Sequence, residues 1–166
     1  MNFTNLLIAL IAGLYLSGCA TGPRDLVLDP VGPPPGPKPA ASSDGSLVVY
    51  SAFEIYPNFN STDPDRRQHT NYRIQTADGT LFRSVRNDTE TILEGPVEVL
   101  LPVGRYRVVA RANGYGWVTV PVVISAHQVT TLHLEAGGSW MKSSVPDAGR
   151  DVRLPNGLVV GWRALE

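Results

Sequence analysis

One cysteine, three histidines and a short acidic loop are the groups of this 166-residue chain best equipped for chemistry. Cys19 is the sole thiol, so no intramolecular disulfide can form, and a lone cysteine in an exported chain calls for an explanation. Leu16-Ser17-Gly18 precede it. One branched apolar residue and two small ones thus lead into the thiol, which is the only good nucleophile beside them. His69, His127 and His133 stand far apart in sequence, with no His-x-x-x-His or cysteine pair at zinc spacing. His133 falls in a strand pattern and reads as a hydrogen-bonded structural histidine, whereas His127 falls in a turn. Asn60, Asp63 and Asp65 offer oxygen atoms to calcium, but the segment lacks the glycine and distal glutamate of an EF-hand. Arg66 and Arg67 would repel a cation, so the loop reads as solvated, with its aspartates paired to its arginines. No serine sits in a Gly-x-Ser-x-Gly turn. These residues predict no catalytic centre, no metal and no cofactor.

The elements around Cys19 give it a setting. Phe3 to Ala20 carries no charge, and Leu6 to Leu16 is an apolar run of signal-peptide length. It falls short of the roughly 20 apolar residues of a membrane span. Together with Leu16-Ser17-Gly18-Cys19 it resembles the lipobox of bacterial lipoproteins. That resemblance implies a signal peptide over 1–18, cleavage before Cys19, and diacylglyceryl transfer to the Cys19 thiol. Acyl chains contribute about 0.8 kcal/mol per buried methylene, so two or more hold a protein firmly on a bilayer. Ala20, where an Asp would favour inner-membrane retention, implies an outer-membrane location in a diderm cell envelope, facing either the periplasm or the surface.

Charged residues make up 17% of the chain and the formal net charge is −1, so no overall basic excess invites nucleic acid. The 16 glycines and 14 prolines point to many turns. Residues 19–45 read as a lipidated N-terminus and linker. Val31-Gly32-Pro33-Pro34-Pro35-Gly36-Pro37-Lys38-Pro39 is expected to form neither helix nor sheet, because proline lacks an N–H and fixes φ. As extended polyproline II the linker would hold a domain roughly 70 Å from the bilayer. Proline-rich segments also bind SH3-like domains, but a spacer is the plainer reading. Leu26-Val27-Leu28 is an apolar island suited to packing back on the domain.

Residues 46–136 alternate as short strands with no helical period: 47–56, 72–76, 81–85, 97–101, 105–112, 117–124 and 129–134, about seven in all. Leu47, Val49, Phe53 and Ile55 fall on one face of the first. Tyr106, Val108, Ala110 and Ala112 fall inward on the fifth, with Arg105, Arg107 and Arg111 outward. Pro57 to Thr70 reads as a polar loop. Asp78-Gly79 and Asn156-Gly157 are hairpin signals, the second within a C-terminal tail, 137–166, whose hairpin is expected to dock on the domain. This predicts an all-β fold, an antiparallel β-sandwich of Ig-like or prealbumin-like type. Leu101-Pro102-Val103-Gly104-Arg105-Tyr106, Gly114-Tyr115 and Thr130-Thr131-Leu132-His133-Leu134 resemble the carboxypeptidase regulatory-like and PEGA-like domains. That resemblance implies a prealbumin-like sandwich with an accessory role and no chemistry. The whole chain also resembles a group of uncharacterised bacterial lipoproteins.

Tyr56, Phe59, Tyr115, Trp117, Trp140 and Trp162 fall near turns or ends. Aromatic faces stack on sugar rings, so they are candidate glycan contacts, against the plainer reading of core packing. Asn60-Ser61-Thr62 and Asn87-Asp88-Thr89 match the glycosylation pattern, which chance also produces. The expected function is a lipid-anchored, non-catalytic structural or protein-interaction module, with the membrane and an envelope protein or glycan as partners. The alternative is a carbohydrate-binding module that takes glycan or peptidoglycan. An enzyme is the least favoured reading.

Overall fold

Arg105 to Ala112 and Trp117 to Ile124 alternate around Asn113-Gly114-Tyr115, and in a computed structural model of the chain they form its longest hairpin. Residues 24–26, 28–34, 44–56, 66–87, 95–136 and 150–165 are described by the structure. Among them are thirteen strands and no helix: β1 (Arg24–Asp25), β2 (Val31–Gly32), β3 (Asp44–Tyr50), β4 (Phe53–Tyr56), β5 (Arg66–His69), β6 (Tyr72–Thr76), β7 (Leu81–Val85), β8 (Glu98–Pro102), β9 (Gly104–Ala112), β10 (Gly116–Ile124), β11 (Val129–His133), β12 (Asp151–Arg153) and β13 (Val159–Arg163). The large sheet runs β12-β13-β2-β10-β9-β6-β7, with β1 also on β10. A second sheet runs β11-β3-β8, and β4 pairs with β5.

The fold is all-β and has the character of a β-sandwich. Successive side chains of a strand point to opposite faces, and one row from each sheet meets in the core. The large sheet supplies Val31, Ile74, Val108, Ala110, Val118, Val120 and Ile124; the smaller sheet supplies Leu47, Val49, Val99, Leu101 and Leu132. Most pairs are antiparallel, but β11 lies parallel to β3, and β1 and β2 lie parallel to β10. The C-terminal hairpin turns at Asn156-Gly157, where Gly157 takes a φ of 85° that a glycine adopts without strain. It joins the edge of the large sheet.

Three expectations need correction. Val31-Gly32, expected with the prolines to be non-sheet, is β2, hydrogen-bonded between β10 and β13. The proline argument applies to residues without an N–H, and Val31 has one. Its side chain is fully buried, and Leu26 and Leu28 pack on the same core. Residues 47–56 are two strands, not one. The chain breaks at Ser51-Ala52, so Ile55 does not continue the inward row of Leu47 and Val49 and is exposed. Arg66 to His69, expected in a polar loop, is a strand that pairs with β4, Phe53 opposite His69 and Tyr56 opposite Arg66. A polar strand of this kind has no hydrophobic period to reveal it.

Candidate functional site

The turn joining β9 to β10 marks one end of the sandwich, and most polar side chains with a distinctive setting gather there. The break after Tyr50 brings Ser51 and Ala52 to this end, where Ala52 N–H donates to the Arg111 carbonyl at 2.8 Å. A buried polar cluster holds the break. Ser51 Oγ donates to the Thr70 carbonyl at 2.6 Å. The Asn87 amide donates to the Val49 carbonyl at 2.8 Å and to Ser51 Oγ at 3.0 Å, and its Oδ1 accepts from Val97 N–H at 3.1 Å. His69 Nδ1 lies 2.7 Å from the Ser51 carbonyl, which can only accept, so Nδ1 carries the proton. Asn113 accepts from Phe53 N–H at 3.3 Å and donates to the Glu135 carbonyl.

His69 and His133, distant in sequence, meet across one ring. Tyr50 stacks on His133 at 4.7 Å between centroids and meets His69 edge-on at 5.7 Å, and Phe53 stacks on His69 at 4.4 Å. His133 Nδ1 is 2.9 Å from Glu135 Oε1, which matches its reading as a hydrogen-bonded histidine. His127 lies in a turn with a φ of 54°. Among the described residues no three His, Cys, Asp or Glu side chains gather to hold a metal. The hydrogen bonds of Ser51, Asn87 and His69 fasten one chain segment to another. Asn87, which begins one of the glycosylation-pattern triplets, is 1% exposed and commits its amide inward.

Beside this cluster, an open recess of about 440 Å³ is lined by Asn71, Tyr72, Arg73, Ser84, Val85, Arg86 and Trp117. Cross-strand partners point the same way. Trp117 is opposite Arg111, Arg73 is opposite both Val109 and Ser84, and Pro121 and Gln75 are opposite Arg107. Trp117, Arg73, Arg105, Arg107 and Arg111 therefore share the outer face of the large sheet. All four arginines are exposed, as is Arg86, while Val109 in their midst is buried. Arg111 pairs with Glu54. Strands β6, β7, β9 and β10 contain five arginines and no Asp or Glu. The near-neutral total of the chain conceals this local excess. On the inner side, burial pushes the Tyr72 phenol well above its usual range, with a smaller opposing effect from Arg83. Its hydroxyl has no hydrogen-bond partner.

No protein-family profile matches this chain, and no curated protein or solved structure matches it significantly. The functional reading rests on the residues themselves.

Among the described residues, the candidate aromatics are spread over β4, the turn between β9 and β10, β10 and β13. Trp117 lines the recess, and Tyr115 is half-buried against the core. Trp162 is partly buried on β13, opposite Gly32. Tyr56 ends β4, opposite Arg66. Phe59 and Trp140 lie outside the described residues, as do Leu16, Ser17, Gly18 and Cys19. The same holds for Asn60, Asp63 and Asp65 of the calcium reading. The sequence missed Asn71, Arg73, Ser84 and Arg86. Their one signal was outward-facing polar residues on strands that carry no acid.

Proposed function

We propose that this chain is a lipid-anchored, non-catalytic module of the cell envelope, of the carboxypeptidase regulatory-like and PEGA-like, prealbumin-like kind, acting in structure or protein interaction. The observation that carries this is how the buried polar groups are used. Ser51, Asn87 and His69 satisfy backbone carbonyls and N–H groups at the strand break, a use that leaves their hydrogen-bonding capacity to the fold. Cys19 supplies the anchor through its thiol, with Leu16-Ser17-Gly18 as the processing signal and the outer membrane as destination. Metabolic labelling with a palmitate analogue should mark the wild type, and Cys19→Ser should abolish the label and leave a larger precursor. An unlabelled wild-type chain that keeps Met1 overturns the anchor. Cross-linking in native cells should capture a discrete envelope partner, and turnover of an envelope substrate by the purified protein would overturn the non-catalytic role.

A second reading, a glycan-binding module, is supported by the recess. Trp117 offers a stacking face, and Asn71, Arg73, Ser84 and Arg86 offer hydrogen bonds within the same concavity. Binding to peptidoglycan fragments that is lost in Trp117→Ala, with unfolding unchanged, would favour it over the protein-interaction role.

A further inference from the structure

We infer that the arginine-rich outer face of the large sheet rests on the anionic headgroups of the bilayer that holds the acyl chains, with the recess end nearest the membrane. This rests on the anchored reading of Cys19. Only residues 20–23 separate Cys19 from β1, so the thiol lies within about 18 Å of Arg24 even with the chain fully extended. The proline-rich stretch adds nothing to that distance, because it follows β2 and lies between two strands of the fold. The 70 Å tether expected from the sequence is thereby replaced by a short leash.

The direction of the leash is set as well. β1 runs parallel to β10 with Arg24 beside Val118 and Asp25 beside Thr119, so β1 begins at the Trp117 end of β10. That end carries Trp117, Asn71, Arg73 and Arg86 around the recess. Arg111, Arg107 and Arg105 continue along β9 on the same face, a stripe about 20 Å long at strand rise. A surface held this close to a bilayer is within a few screening lengths of its phosphates, and arginine forks match phosphate geometry. Tryptophan favours the headgroup level, where its ring is half in apolar surroundings. Arg111 is paired with Glu54 at the Trp117 end of this stripe.

The test uses the full acylated chain reconstituted into vesicles of phosphatidylcholine alone or of equal parts phosphatidylglycerol and phosphatidylcholine. Bromine-labelled acyl chains in the vesicles quench nearby tryptophans. A Trp140→Phe/Trp162→Phe background leaves Trp117 as the only reporter. Quenching should be several-fold stronger in the anionic vesicles, should fade at high salt, and should fall to the phosphatidylcholine level in Arg73→Gln/Arg86→Gln. The salt titration of the unsubstituted protein gives the same reading without relying on variants. Palmitate-analogue label is scored on the same sample. Labelled protein quenched equally in both vesicles, or indifferent to salt, overturns the docking and leaves the anchor standing. Protein without label overturns both.

Discussion

Two parts of the chain join the sandwich without a strand period to announce them, and they are held by opposite means. The N-terminal strip, β1 and β2, is held by close apolar packing. Val31 is fully buried, and a Cβ on Gly161 of the neighbouring strand would stand 2.5 Å from Val31 Cγ1. The break at Ser51-Ala52 is held by polar side chains, with Asn87 bonded to Val49, Ser51 and Val97. Packing fails gradually, by methylene-sized steps. A buried amide fails at once, because each partner it abandons is left unsatisfied in a site that water does not reach.

The largest effect should therefore come from Asn87→Ala. It strands the Val49 carbonyl and the Val97 N–H and removes one contact of Ser51. A loss of about 3 kcal/mol is expected in urea unfolding. A loss below about 1 kcal/mol would remove the contrast between the two regions.

Gly161→Ala should come next, at about 1–3 kcal/mol, because the new methyl meets Val31 Cγ1 and lies 3.1 Å from the Thr131 carbonyl. On a Val31→Ala background the same substitution should cost less, since its nearest obstacle is gone. Additive losses in that double-mutant cycle would mean that Val31 does not touch Gly161.

Tyr72→Phe tests the polar side with the opposite sign. Its buried hydroxyl has no partner, so removing it should leave stability unchanged or raise it by up to about 1 kcal/mol. It should also alter the pH profile. The fold raises the phenol above its ordinary value of 10.0, so its contribution is complete below pH 10 and is lost as the pH rises further and the unfolded chain ionises first. The wild type should lose stability more steeply than Tyr72→Phe when unfolding is followed above pH 10. Parallel profiles would contradict the burial of that hydroxyl.

The smallest effect is expected from Arg163→Gln, which breaks the pair with Asp29 at 2.6 Å between half-exposed side chains. Chemical denaturation should shift by no more than about 0.5 kcal/mol. A larger shift would mean that the strip depends on charge as well as on packing.

The strands that sequence made legible are those with a strict period and a glycine or asparagine turn between them. β9 and β10 alternate around Gly114, and β12 and β13 flank Asn156-Gly157, so local chemistry specified both register and turn. The smaller sheet was legible as strands but not as a sheet, because the parallel pairing of β11 with β3 joins residues about 80 apart and leaves no local trace. β2 is two residues long, and β5 is Arg-Arg-Gln-His. Neither has a pattern, and each exists because a neighbour offers hydrogen bonds. The candidate site was legible through Trp117 alone. Asn71, Arg73, Ser84 and Arg86 acquire meaning only when β6, β7 and β10 stand side by side. Asn87 was legible as a glycosylation triplet and turned out to be a clamp.

The order of the large sheet bears on when the molecule can finish folding. β2 is flanked by β10 on one side and β13 on the other, so the first part of the fold is locked in by the last. Until β13 has formed, β2 has β10 as its one hydrogen-bonded neighbour in the large sheet. A prematurely ended chain would present β2 as an open strand edge, a template for pairing with other chains.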